Sequence, residues 1–186
     1  MDGEALGMSS AGMDPLDNNR HVFRYCPHCR AEMARGLEGG LQRPVCPDCG
    51  FVQYLNPAPG AAAIIFQGDR ICLVQRKFAP KEGQWTLPTG FMEWNETVRQ
   101  TAVRECLEET GLEVRITGLY AAESGILPPD IPVQVTFFRA QVMGGRAQAG
   151  DDAAAVGFFA LDDLPGPIAF ASHRKVLDQL ARERES

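Results

Sequence analysis

Three glutamates in one predicted helix carry side chains suited to holding a metal ion. Thr97 and Gln100 form a capping-box pattern, which predicts that the helix begins there and carries Glu105, Glu108 and Glu109 near its end. At about 100° per residue the three carboxylates share one side of the helix. They repel one another unless water solvates them or a divalent cation lies among them. Hard oxygen ligands of this kind select Mg²⁺ or Mn²⁺.

The neighbouring face of this predicted helix is apolar. Ala102, Val103, Cys106 and Leu107 occupy it, and we expect them to pack on a core. Cys106 is small and tolerates burial, so we expect packing rather than chemistry from it. Gly111 is suited to the left-handed residue that ends a helix.

The segment from Gly90 to Leu112 resembles the Nudix box, a pattern of glycine, glutamate and an Arg-Glu-x-x-Glu-Glu run at fixed distances. The matching residues are Gly90, Glu96, Arg104, Glu105, Glu108, Glu109 and Gly111, with Cys106 and Leu112 in the apolar positions. The preceding run from Trp85 to Gly90, Trp-Thr-Leu-Pro-Thr-Gly, is also similar to this family.

The resemblance implies a metal-dependent enzyme that hydrolyses a nucleoside diphosphate linked to another moiety. The ligands of Mg²⁺ or Mn²⁺ that it implies are the Gly90 carbonyl and the side chains of Glu105, Glu108 and Glu109. Arg104 is expected to orient a ligand carboxylate, and Glu96 to steady the loop. Either Glu105 or Glu108 is expected to act as the base for the attacking water, which places both with Arg104 in the catalytic group.

Members of this family often use a further acidic residue from a later loop. Asp151 and Asp152 are the candidates here, and Asp152 is the further metal ligand that we predict. A solvated loop tip is the alternative for both.

An adenine or flavin ring needs an aromatic or apolar platform. The loop aromatics Phe78, Trp94 and Phe170 could supply it, with burial as the alternative for each. Trp85 and Phe91 are expected to anchor the core.

Four of the six cysteines form two Cys-x-x-Cys pairs. Cys26 and Cys29 are separated from Cys46 and Cys49 by sixteen residues, a spacing typical of a structural zinc site. The residues between the pairs are expected to form a hairpin or loop. The segment resembles a zinc ribbon, in which Zn²⁺ supplies on the order of 10 kcal/mol of folding free energy.

The chain of 186 residues has room for this module and one medium domain. We predict a disordered tail over residues 1–22, the zinc ribbon over 23–56 and the Nudix domain over 57–186. A net charge of −6 disfavours nucleic acid and anionic membranes as partners. No apolar run is long enough to span a membrane and no export signal is seen, so a cytoplasmic protein is expected. A homodimer is expected from the resemblance, through the ribbon or the adjacent edge strand.

The predicted fold is α/β: an α/β/α sandwich with a mixed sheet, preceded by the zinc ribbon. Residues 51–60 are predicted as a linker along an extended edge. Strands are predicted over residues 61–66, 70–77, 112–123 (kinked at Gly118), 133–142 and 156–161, with loops over 78–84, 124–132 and 144–152 and a short helical turn over 161–165. Ser172 is expected to cap a last helix with Val176, Leu177 and Leu180 on its apolar stripe.

The segments around the box resemble a Nudix subgroup that acts on ADP-ribose and FAD. They are Tyr54-x-Asn56-Pro57, residues 159–165 and residues 168–172. Relatives that hydrolyse NADH carry Ser-Gln-Pro-Trp-Pro-Phe-Pro after the box, which residues 121–132 lack, and Pro128 stands where ADP-ribose relatives place a proline. The substrate is therefore expected to be a small nucleotide, ADP-ribose or FAD, and NADH is disfavoured. The alternative functions are a Nudix-fold nucleotide sensor and a nucleic-acid-binding ribbon without hydrolysis.

Overall fold

A computed structural model describes residues 23–128, 131–150 and 152–185. The predicted tail over residues 1–22 and the candidate Asp151 lie outside the described residues. The chain divides into two compact units, and the division falls between Asn56 and Pro57.

The first unit contains one antiparallel hairpin between the two cysteine pairs. Strand β1 (Ala34–Glu38) pairs with β2 (Leu41–Val45). Gly39 and Gly40 connect them, both with positive φ, as a tight hairpin turn requires. Of the two forms predicted for this segment, a hairpin is the one that is present.

The second unit is built on a seven-stranded mixed sheet. Its strands are β3 (Ala58–Gln67), β4 (Arg70–Arg76), β5 (Trp85–Thr86), β6 (Thr89–Phe91), β7 (Leu112–Leu127), β8 (Ile131–Gly145) and β9 (Ala153–Ala160). The central order is β5-β4-β3-β8-β7, while β6 pairs with β3 and β9 with β4. Only β3 and β8 run parallel among these pairs.

Strand β3 lies in the middle of the sheet and separates two cores. Ala62 and Ile64 pack on the side of the last helix, whereas Ala63 and Ile65 pack on the side of Cys106 in the box helix. The prediction of an edge over residues 51–60 is therefore wrong for its last three residues. Pro59 is tolerated in the strand because pairing with β6 begins only at the next residue, Gly60.

Helix α1 (Val98–Thr110) has the predicted ends. Thr97 and Gln100 form the capping box, and Gly111 ends the helix with a φ of 68°. The expected apolar face is confirmed for Ala102 and Cys106, which are buried, but Leu107 is about half exposed. Leu107 therefore lies beyond the edge of the buried stripe.

Strands β7 and β8 are longer than predicted. They pair from Leu112 opposite Gly145 to Leu127 opposite Ile131, with irregular register on both sides of Gly118. The loop predicted over residues 124–132 is therefore mostly strand. Pro132 fits at the start of β8 because pairing with β3 begins only at Val133, so no hydrogen bond toward β3 is lost.

The loop predicted over residues 144–152 is also shorter, because β8 continues to Gly145 and β9 begins at Ala153. Residues 161–165 form a turn and a bend rather than a helical turn.

Helix α2 (Ala171–Glu185) packs its predicted stripe of Val176, Leu177 and Leu180 in the core. The expectation that Ser172 caps it is wrong, because the helix begins at Ala171 and Ser172 lies inside its first turn. The two helices cover opposite faces of the sheet, which is the predicted α/β/α sandwich. Among the described residues, neither helix is long and apolar enough to span a membrane.

Candidate active site

Gly90 lets the box helix bring a carboxylate against the sheet. The residue lies in β6, where it pairs with Ala61 of β3. A Cβ atom on Gly90 would overlap the carboxylate of Glu105. The absence of a side chain at Gly90 therefore makes room for this carboxylate. Burial of the carboxylate raises the pKa of Glu105.

Arg104 is the charged centre of the box. Its Nε and Nη2 donate to the Glu96 carboxylate over 3.1 and 2.7 Å, and Nη2 also donates to the Phe91 carbonyl over 3.0 Å. Its Nη1 donates to Glu105 over 2.7 Å and to Glu108 over 2.8 Å. The guanidinium thus holds two predicted ligands to the loop that precedes the helix.

Glu96 connects this arginine to the loop and to the start of α1. It accepts hydrogen bonds from the Glu93 N–H and the Thr101 hydroxyl, each over 2.9 Å. The hydrogen bonds from Arg104 are the main reason why the pKa of Glu96 is lowered to about 2. Glu96 is therefore a charged anchor at neutral pH.

Glu109 is the most deeply buried carboxylate of the box, with 6% of its surface exposed. It accepts a hydrogen bond of 2.9 Å from the Thr89 N–H. Burial raises its pKa to about 8, and the neighbouring charge of Glu105 adds to this. A buried carboxylate of this kind calls for a cation, because a cation would compensate the cost of its charge.

The three box carboxylates do not form a closed cage. Among the described residues, only the four ribbon cysteines form a group of potential metal ligands that all lie within 4.8 Å of one another. Glu105 and Glu108 both accept from Arg104 Nη1, whereas Glu109 accepts from the Thr89 N–H. Glu105 and Glu109 are the two that share a cavity.

This cavity has a volume of about 620 Å³, which falls in the range of small-molecule sites. Its wall contains Gly90, Glu105, Glu109 and the predicted further ligand Asp152. The backbone carbonyl of Asp152 accepts from the Lys77 N–H over 2.8 Å, which ties the loop to β4. Four of the predicted metal ligands thus meet in one cavity, and the fifth, Glu108, lies outside its wall.

The predicted aromatic platforms are placed differently from one another. Phe170 lines the cavity, whereas Phe78 and Trp94 do not. Trp94 is 92% exposed. Phe91 was expected in the core but is half exposed and lines the cavity, because its strand lies at the edge of the site. Trp85 packs against the core as expected.

Arg76 and His173 are among the cavity residues that the sequence reasoning missed. Arg76 ends strand β4, and His173 follows the start of α2. The arginine lies over the Phe170 ring at 5.2 Å, and the histidine ring contacts Phe170 and Phe137. A single arginine at the end of a strand and a histidine on a helix carry no spacing signal that could have identified them.

The first unit has its own candidate site, formed by the four cysteines. Cys26 and Cys49 have their sulfur atoms 3.5 Å apart, and those of Cys29 and Cys46 are 3.4 Å apart. None of the four forms a disulfide bond.

Both turns of this site have the same hydrogen bonds. The N–H groups of Arg30 and Gly50 donate to the carbonyls of Cys26 and Cys46, over 2.9 and 3.0 Å. Both donors have a left-handed backbone, with φ of 68° and 74°. The two turns therefore form matched halves of one four-cysteine cluster.

Comparison with known proteins agrees with the box. The NUDIX domain family model matches residues 56–180. An ADP-ribose pyrophosphatase of Methanocaldococcus jannaschii is 39% identical over 132 residues, which are 69% of this chain and 76% of that protein. A NUDIX hydrolase structure from Nitrosomonas europaea is 34% identical with a TM-score of 0.77, and the match covers 88% of this chain and 93% of that one.

A third relative extends the match beyond the second unit. The NAD-capped RNA hydrolase NudC of Chromobacterium violaceum is 32% identical over 171 residues, or 89% of this chain. The chain spans 61% of the length of that relative. The family model matches more than half of this chain, and one relative is 39% identical to it. This protein therefore belongs to the Nudix hydrolase family.

Proposed function

We propose that this Nudix pyrophosphohydrolase cleaves the pyrophosphate bond of ADP-ribose, with Mg²⁺ or Mn²⁺ bound at the box. The observation that carries the proposal is the cavity shared by Glu105, Glu109 and Asp152, which is large enough for a nucleotide. The archaeal relative named ADP-ribose pyrophosphatase supports this substrate.

The residues present fit a hard divalent cation. Nudix hydrolases need such an ion, and the oxygen donors here are Glu105, Glu109 and Asp152, with the Gly90 carbonyl beside them. We include Glu108 in this set because Arg104 holds it and Glu105 through the same nitrogen. When bound, the ion supplies positive charge to a diphosphate and lowers the pKa of a coordinated water.

The chain's own residues orient this site. Arg104 fixes the directions of Glu105 and Glu108, and Glu96 fixes Arg104. Either Glu105 or Glu108 would accept the proton of the attacking water, as the resemblance implies. The Thr89 N–H holds Glu109 toward the cavity and stabilises its charged form.

A substrate linked to NAD is the second candidate. Relatives named NAD-capped RNA hydrolase NudC match 89% and 88% of this chain, including part of the first unit. ADP-ribose is preferred because residues 121–132 lack the segment typical of NADH-hydrolysing relatives. FAD, also predicted from the sequence, needs room for a larger flavin in the same cavity and stands third.

The four cysteines are proposed to bind one structural Zn²⁺. Sulfur atoms around a tetrahedral zinc with bonds of about 2.3 Å lie about 3.8 Å apart. The separations of 3.4 and 3.5 Å are close to this value. Four thiolates leave no open position, so the ion would hold the unit together and take no part in hydrolysis.

The test is formation of AMP from ADP-ribose, NADH and FAD, and of a nucleoside monophosphate from a dNTP, each with Mg²⁺, without added divalent metal and with Mg²⁺ restored. We expect ADP-ribose to give the highest kcat/KM and only with the metal. Turnover of NADH alone would instead favour the second candidate. Tight ADP-ribose binding without turnover in Mg²⁺ or Mn²⁺ would identify a sensor and refute the proposal.

A further inference from the structure

The first turn of α2 is uncapped and opens into the cavity. The first helical bond runs from the Arg174 N–H to the Phe170 carbonyl over 3.0 Å. Within the described part of the chain, the N–H groups of Ala171, Ser172 and His173 have no partner. No acidic residue lies in this turn, and all three residues line the cavity. A free helix N-terminus favours an anion.

His173 provides an independent indication of a ligand at this wall. Its side chain is buried, with 1% of the residue exposed, and its Nδ1 lies 2.8 Å from the Thr86 hydroxyl. Thr86 is itself fully buried, and no other acceptor for its proton is found among the described residues. The hydroxyl therefore donates to Nδ1, which places the histidine proton on Nε2.

The Nε2–H group of this neutral histidine is a buried donor. It has no hydrogen-bond acceptor in the part of the chain that the structure describes. A buried donor without a partner costs free energy unless a ligand or water accepts from it. A ligand acceptor in the cavity would satisfy it.

Arg76 adds positive charge to the same wall. Its Nε donates to the Pro80 carbonyl over 2.8 Å, and its guanidinium lies over Phe170 at 5.2 Å. Across residues 23–128, 131–150 and 152–185, its two terminal nitrogens have no acceptor. A guanidinium with free terminal N–H groups is suited to phosphate.

We propose that the first turn of α2 and Arg76 form an anion subsite that binds a phosphoryl group of a nucleoside diphosphate. Backbone N–H groups, the Ser172 hydroxyl and the His173 Nε2–H are its donors, and Arg76 is its charge. The subsite lies in the same cavity as the metal-binding carboxylates. This inference rests on the proposed function for the identity of the nucleotide, but its test measures binding without hydrolysis.

The position of Ser172 allows a sharp test. Ser172→Asp places a carboxylate at the helix N-terminus, and Ser172→Asn is the neutral variant of the same size. ADP affinity is measured by isothermal titration calorimetry on the full chain without added Mg²⁺. We expect Ser172→Asp to bind ADP about tenfold or more weakly than Ser172→Asn, because only the aspartate adds a negative charge.

Thermal unfolding separates this effect from misfolding. An acidic residue in the first turn stabilises a helix, so Ser172→Asp should melt no lower than Ser172→Asn. Arg76→Gln provides a second arm, for which we expect about tenfold weaker ADP binding.

The inference is wrong if either Ser172→Asp or Arg76→Gln binds ADP as tightly as Ser172→Asn. It is also wrong if the wild type does not bind ADP at millimolar concentration. Failure of the proposed function is seen separately, as absence of ADP-ribose turnover in a protein whose ADP affinity follows the expected order.

Discussion

At the scale of single residues, the site depends on how closely Glu105 approaches β6. The carboxylate occupies the space where a side chain at position 90 would stand. Metal chemistry is sensitive to such placement, because a displacement of about 1 Å can cost about 100-fold in rate. Glycine is therefore required at position 90 because a side chain there would overlap Glu105. The backbone conformation does not itself require glycine, since the φ of Gly90 is not positive.

Replacing Gly90 by alanine tests this contact. We expect Gly90→Ala to lower kcat for ADP-ribose about 100-fold, because the new methyl group displaces Glu105. Gly118→Ala is the matched control, since a Cβ there meets nothing within 4 Å. Equal kcat values for the two variants would show that Glu105 need not occupy this position.

His173 makes a testable contribution to the pH dependence of stability. Burial, with the nearby charge of Arg76, lowers its pKa to about 3 from an unfolded value near 6.5. The unfolded chain thus binds more protons in this window, so stability falls as pH drops below about 6.5. Between pH 7 and 5 this residue alone should remove about 2 kcal/mol of unfolding free energy.

The measurement is urea unfolding of wild type and His173→Gln at both pH values. Taking the difference between the two proteins removes the effects of other groups, including Glu109, whose raised pKa acts in the opposite direction. We expect the wild type to lose about 2 kcal/mol more than the variant. Parallel losses in the two proteins would contradict a neutral buried histidine.

The sequence identified the acidic residues of the site better than the basic and polar ones. Glu105, Glu108 and Glu109 stand in a pattern of fixed spacing, so their helix could be predicted, and Glu105 and Glu109 line one cavity while Glu108 binds Arg104 outside its wall. Arg76 and His173 come to the cavity from a strand end and a helix start that are close only in the folded chain. Their roles depend on tertiary contacts that spacing does not encode.

At the scale of elements, the segment after β8 completes the box helix. Its Gln148 and Gly150 N–H groups donate to the carbonyls of Thr110 and Glu109, over 2.9 and 3.3 Å. These carbonyls belong to the last turn of α1, which has no partners for them within the helix. The same segment leads directly to Asp152, so the end of the helix and the further ligand are positioned together.

Gly150→Ala is expected to disturb both the end of α1 and the position of Asp152. A Cβ at this position would lie 2.6 Å from the Glu108 carbonyl oxygen, so the backbone must move. We expect a loss of about 1 to 3 kcal/mol in unfolding free energy, together with lower turnover of ADP-ribose. Urea unfolding and kinetics on the same preparations check this. Stability and kcat equal to those of Gly118→Ala would show that the segment does not support the site.

The helices were easier to predict than the strand ends. The capping box at Thr97 and the glycine at 111 are local signals, and both ends of α1 follow from them. The three prolines near residue 130 predicted a long loop, yet β7 and β8 continue close to it. Strand ends are set by partners in the sheet, and β3 begins to pair with β8 only after Pro132.

At the scale of the whole molecule, two units depend on different sources of stability. The second unit has buried cores on both faces of its sheet. In the first unit, Leu37 and Leu41 of the hairpin are exposed, and the buried residues include Cys26 and Cys46. We therefore expect a unit with so little apolar burial to need a bound metal to stay folded. The homodimer stays a prediction.

Metal analysis tests the first unit. We expect one zinc per chain in the wild type and a loss of it in Cys46→Ser, with protease cleavage between residues 23 and 56. Cys72→Ala is the matched control, because Cys72 is buried in the second unit and should leave the zinc content unchanged. Wild-type protein that holds no zinc yet resists protease would contradict a metal-dependent unit.

The central claim is that the box carboxylates hold the divalent ion required for hydrolysis. It is tested most directly by Mn²⁺ binding, followed by electron paramagnetic resonance, and ADP-ribose turnover on the same samples of wild type, Glu108→Gln and the exposed control Glu113→Gln. We predict that Glu108→Gln keeps its fold, binds Mn²⁺ more weakly and loses on the order of 100-fold or more in kcat, while Glu113→Gln matches the wild type. Wild-type turnover by Glu108→Gln, with unchanged Mn²⁺ affinity, would contradict the account.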